Sequence, residues 1–254
     1  MMNIVAIYNL PEKKEMLAET LAAAMKSTVY EALSRLKAPG TGPFVVSASA
    51  AVGQAEELIA RLRAGGFHAV LLKEDDVESE AARFVVRRFR LNPDALIVES
   101  RPEESLKVDY SSIRLLLRGT SISQTISTET MKEKKFNPGM ALLTGGLKMT
   151  KTTEKITEST TQIREGFFHL YTGEQQTFVF REGGLFYDSL GTALQATRQA
   201  NFSYLITGLR RLSPGAFYDD RLLSRAGQVQ LLGPLLSPEK HLDIATSLLA
   251  KMLT

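Results

Sequence analysis

Residues 120–162 (TSISQTISTETMKEKKFNPGMALLTGGLKMTKTTEKITESTTQ) are about one-third Ser and Thr, with Lys and Glu scattered between. No packed core can be built from such a stretch, because it buries too little apolar area to offset the entropy of ordering it. The segments on both sides alternate apolar and polar residues as strands do. A long polar excursion inside a well-patterned region is either functional or without fixed structure. The expectation is therefore a mobile loop between strands, which orders when it meets a partner.

The rest of a 254-residue chain is long enough for one large or two smaller cores. Its 44% hydrophobic and 23% charged content is that of a globular chain, and a formal charge of +3 does not by itself favour nucleic acid. The absence of cysteine excludes disulfides, thiolate metal sites and cysteine nucleophiles. The opening MMNIVAIYNLPEKKEM lacks the basic leader and long apolar run of a signal peptide. With no run of eighteen apolar residues either, a cytoplasmic chain without a transmembrane segment is expected.

Residues 3–8 (NIVAIY) read as a buried strand, and Leu17, Leu21 and Met25 mark one face of a helix. Thr28 and Glu31 form a capping-box pair for a second helix, whose core face holds Val29, Leu33 and Leu36. A strand at 44–48 follows. Ser49 is positioned to cap a helix burying Ala55, Leu58, Ile59 and Leu62, which Gly65 and Gly66 end before a strand at 67–72. The order is βααβαβ over residues 1–73, a small two-layer domain, with acidic residues 74–81 as its linker.

From residue 82 the texture changes to short strands and turns: 83–91, 95–100, 106–110 and 113–118 before the excursion. A hairpin of 167–171 with 177–181 follows it, and Gly183-Gly184 then turns the chain. An amphipathic helix over 197–212 carries Phe202, Leu205, Ile206, Leu209 and Leu212 on one face. A short helix near 219–226 and a last one opened by Ser237-Pro238 complete a C-terminal helical extension over 216–254.

The N-terminal order, with the phrase AEELIARLRAGGFHAVLL, resembles the C-terminal domain of the ribosomal stalk protein and the related Clp protease adaptor fold. The stalk domain's Gly- and Lys-rich second helix has no match in TVYEALSRL, so the resemblance implies a fold and not a function. Residues 82–215, with about seven strands and one helix, resemble a pleckstrin-homology-type barrel with a capping helix. In that class the early loops bind lipid headgroups, peptides or proteins. The fold class expected is thus α+β.

Chemistry-bearing motifs are sparse. TGGLKMTK lacks the glycine spacing of a phosphate loop, although Lys148 and Lys151 beside two glycines can hold an anion. A solvated loop is the plainer reading. His68, His169 and His241 stand far apart, which argues against a metal site. No GxSxG elbow marks a nucleophile, and no catalytic residue or cofactor is expected. Arg83 and Arg87 match the RxxxR pattern of PilZ barrels, which bind cyclic-di-GMP, but Arg114 stands where the second PilZ motif has glycine. Arg83, Arg87, Arg88 and Arg90 interleave with Phe84 and Phe89, a strip suited to nucleic acid that the neighbouring acidic run opposes.

Two functional readings follow. The first is a non-catalytic binding or scaffolding protein whose 120–165 segment takes a protein partner, with Met140, Leu142, Leu143 and Thr144 adding a strand to an exposed edge. The second is a sensor of a nucleotide or anionic lipid headgroup, using Arg83, Arg87, Lys148 or Lys151. The oligomeric state stays open.

Overall fold

The computed structural model describes residues 2–11, 14–37, 42–79, 82–101, 104–136, 150–174 and 176–253, with the backbone alone described for 15, 123–136 and 150–162. The chain divides into one compact unit of Met1–Ser121 with Glu165–Thr254, and a second of Ile122–Arg164. The described residues hold both helices and sheets, an α+β content.

Strand β1 (Asn3–Tyr8) lies between β2 (Phe44–Ser49) and β3 (His68–Lys73), antiparallel to both. Its unbroken apolar run is explained by burial on both faces. Val5 and Ile7 join a core with α1 (Ala18–Met25), α2 (Val29–Leu36) and α3 (Val52–Ala64). Ile4 and Ala6 enter a second core with Leu115, Leu117, Phe167 and the C-terminal helices. The capping box at α2 is formed, with Glu31 N–H donating to Thr28 Oγ1 and Thr28 N–H to Glu31. Val29 is half-exposed, and Ala32 takes its place in the core. Ala51, not Ser49, holds the N-cap position of α3, although Ser49 Oγ accepts from Ala51 N–H. Gly66 follows α3 at φ +83, the left-handed conformation that favours glycine.

A five-stranded mixed sheet has the order β11 (Phe217–Leu222), β8 (Ile113–Phe136), β9 (Thr150–Thr172), β10 (Thr177–Arg181), β4 (Phe84–Val86). A three-stranded antiparallel sheet holds β5 (Arg88–Leu91), β6 (Ala95–Glu99) and β7 (Ser105–Asp109). Helix α4 (Arg198–Leu212) is capped by Thr197, whose Oγ1 accepts from Ala200 N–H. It inserts Phe202, Leu205, Ile206 and Leu209 among residues of both sheets. Each such side chain contributes roughly 1.5–3 kcal/mol on burial. Helices α5 (Arg225–Leu232) and α6 (Pro238–Leu253, bent at His241) close the chain.

Three expectations are corrected. Residues 83–91 are two strands in different sheets, broken at Arg87, whose N–H donates to Glu99 O and whose carbonyl accepts from Phe186 N–H. Residues 217–222 form strand β11, parallel to β8, and the helix starts only at Arg225. There Asp219 is buried because Arg221 meets it at 2.7 Å, which satisfies a carboxylate that periodicity alone would place outside. The polar excursion is not a loop along its described length, since β8 and β9 run on to Phe136 and from Thr150. Met140, Leu142, Leu143, Thr144 and Lys148 lie outside the described residues.

Candidate functional site

The break at Arg87 opens a cleft of about 810 Å³ lined by Arg87, Arg88, Arg101, Arg198 and the Gly183–Phe186 turn. Its volume falls within the range of small-molecule sites. Four elements supply the guanidiniums: Arg87 from the β4–β5 break, Arg88 from the start of β5, Arg101 from the turn after β6, and Arg198 from the first turn of α4.

The wall opposite is a glycine turn held from both sides. Arg87 Nη1 donates to Gly184 O at 3.3 Å, and Arg198 Nη1 to Gly183 O at 2.6 Å. Gly183 N–H in turn donates to Glu165 Oε1 at 3.1 Å. A Cβ on Gly184 would lie 2.6 Å from Arg87 Nη1, so glycine is what lets that guanidinium lie against the backbone.

Charge in the cleft is unbalanced. Arg88 is paired with Asp188 at 3.1 Å and stacks over the Phe186 ring at 4.8 Å. Glu99, the one carboxylate in the lining among the described residues, is held by Arg90 at 3.0 Å. Among the described residues, the guanidiniums of Arg87 and Arg198 donate only to neutral carbonyls. The Arg101 carbonyl accepts from Glu104 N–H at 3.1 Å, while its guanidinium has no hydrogen-bond or ion-pair partner among the described residues. Three exposed guanidiniums therefore face one space without a carboxylate of their own among the described residues. Such an arrangement can hold oxyanions through forked, charge-assisted hydrogen bonds.

Arg83 and Arg87 do not converge. The Arg83 side chain is 3% exposed, with Nε 3.2 Å from Glu78, Nη1 3.0 Å from Asp243 and Nη2 3.3 Å from Thr246 Oγ1. Its fork is filled by the protein itself. Of Lys151 the backbone alone is described. Sequence reasoning missed Arg101 and Arg198, and the one usable signal was the Gly183-Gly184 turn shortly before Thr197.

A second polar cluster sits on strand β9 of the mixed sheet. His169 is buried, with Nδ1 3.3 Å from Tyr171 Oη and its ring against Phe167. Burial, reinforced by the positive charges of Arg83 and Arg181, holds its pKa well below the usual imidazole value. Burial likewise pushes the Tyr171 phenol upward. Among the described residues there is no group of three His, Cys, Asp or Glu side chains that could hold a metal ion, and no helix is long and apolar enough to cross a membrane.

Neither a family model nor a curated protein nor a solved structure matches the chain.

Proposed function

We propose that this chain is a non-catalytic binding protein whose arginine cleft takes a phosphorylated ligand. The observation that carries this is the convergence of Arg87, Arg101 and Arg198 on one cleft in which none has a carboxylate partner among the described residues. Unpaired guanidiniums at a solvent-open surface keep their hydration until an anion replaces it, and a phosphate accepts from two N–H groups of each fork. Two sheets and a helix around one core also support a pleckstrin-homology-like frame for the cleft. The ligand class is a nucleotide or an anionic headgroup, which share the phosphate.

Thermal denaturation with ATP, inositol hexakisphosphate and phosphatidylserine vesicles tests this reading. A ligand that binds only the native state raises the apparent melting temperature. The rise should disappear in an Arg87→Ser, Arg101→Ser double variant that melts normally alone. No response to any of the three probes would sink the reading.

A second reading gives the 120–165 segment to a macromolecular partner. Its support is the pairing of β8 and β9 through a stretch with so little apolar content. Shortening that segment to a tight turn should then abolish partner capture while the first unit stays folded.

A further inference from the structure

Strands β8 and β9 are 24 and 23 residues long, far beyond the usual 3–10. Among the described residues, only their bases are flanked. The register of β11 on β8 runs from Leu115 to Gly119, and β10 covers β9 from Phe167 to Tyr171. Beyond Gly119 on β8, and before Phe167 on β9, no third strand pairs with either among the described residues. The second unit, Ile122–Arg164, is therefore a two-stranded ribbon with both outer edges open along its described length. At roughly 3.3 Å per residue, each arm extends for about 50 Å.

Such a ribbon is marginal in water by itself, and its sequence supplies few apolar residues with which to compensate. Of the thirty residues in 122–136 and 150–164, six are Ile, Met or Phe and twelve are Ser or Thr. Threonine favours the extended backbone, and neither arm contains proline or glycine to interrupt a ladder. Open edges of this kind are templates for another strand.

We infer that the occupant is a second copy of this chain, the outer edge of β8 in one copy pairing with the outer edge of β9 in the next. This rests on the partner-binding reading of the segment and names its partner. Every copy offers both edges, of nearly equal length. Each arm carries three basic and two acidic residues, so no large net charge opposes like-with-like association. A rotation about an axis along the ribbon keeps every neighbouring pair antiparallel, β8 to β9 within a copy and β9 to β8 between copies. The contact is heterologous, so it repeats until a ring closes and removes the edges.

The chain has no cysteine, which makes disulfide mapping unambiguous. Ser123→Cys and Ser127→Cys in β8 would each be mixed with Ser159→Cys or Thr161→Cys in β9, using full-length protein, and oxidised gently. Heterologous pairing gives β8–β9 cross-links between copies and a light-scattering mass several times that of one chain. Proline substitution adds a second arm to the test, because successive N–H groups along a strand point to opposite sides. Of Thr157→Pro and Glu158→Pro, the one that removes the outward N–H should abolish association while the first unit melts unchanged. A monomer at all concentrations would overturn the inference, as would cross-links confined to β8–β8 pairs. If such a monomer still captures another protein through the ribbon, the inference fails while the partner-binding reading survives.

Discussion

Arg83 Nη1 donates to Asp243 Oδ1 at 3.0 Å, joining the residue just before β4 to the last helix across 160 positions of sequence. The same guanidinium reaches Glu78 and Thr246, so one buried cation ties the acidic segment after β3, strand β4 and helix α6 together. Because Glu78 and Asp243 are partly exposed, they can recover hydration when the cation is lost.

Replacing Arg83 should therefore destabilise the first unit without touching the cleft. Arg83→Ala loses several charge-assisted hydrogen bonds and leaves a void, at a cost of about 2–3 kcal/mol. Arg83→Lys retains the charge but not the fork, and falls between. Urea denaturation measures both. Any ligand response at the arginine cleft should persist in the folded fraction, and its loss would place Arg83 in the site.

His169 predicts a pH dependence with a definite sign. Its folded-state pKa lies below the ordinary 6.5, so on acidification the unfolded chain takes up the proton first. Stability is then constant above about pH 6.5 and declines as the pH falls below it, levelling only beneath the folded-state value. The shifted carboxylates Glu74 and Asp76 act at lower pH, since their ordinary values are 4.5 and 3.8. Melting temperatures between pH 7 and pH 5 should accordingly slope downward with acid in the native chain and be nearly flat in His169→Leu. Equal slopes in the two would assign the dependence elsewhere.

The βααβαβ order, the α2 capping box and the buried face of α4 were legible in the sequence because each is a local signal. Thr28 and Glu31, or Phe202 and Leu209, carry the information within a few residues of themselves. What escaped depends on partners far away. The acidic FYDDRL suggests no buried strand until Arg221 neutralises Asp219 and β8 offers an edge. Ser/Thr-rich residues read as loop because burial is the usual sign of a strand, whereas β8 and β9 pair through backbone groups that every residue but proline has. The cleft was half visible through Arg87. Arg101 and Arg198 join it only because β5 and β6 pair antiparallel and α4 starts beside the glycine turn.

Gly184 separates the stability of the cleft from its affinity. The added Cβ of Gly184→Ala meets the far end of a flexible arginine, which can swing away, so stability should change by no more than about 0.5 kcal/mol. Arg87 loses its seat on the Gly184 carbonyl, and the thermal response to phosphorylated ligands should weaken. An unaltered response would show that Arg87 binds from another rotamer or not at all.

Gly119 gives the opposite case. It lies opposite Leu222 in the β8–β11 pair, at the last position where β8 has both neighbours. A Cβ there would fall 2.2 Å from Phe167 Cζ and 2.9 Å from Leu222 Cβ. Both residues are buried, at 3% and 0% exposure, and share a core with Leu115 and Leu117, so neither has space to retreat. Gly119→Ala should cost about 1–3 kcal/mol by overpacking, read as a lower urea midpoint. Phe167→Leu placed on top removes the ring edge that the methyl strikes. The double variant should then be more stable than the sum of the two single losses, and strict additivity would mean that the clash is relieved by backbone movement instead.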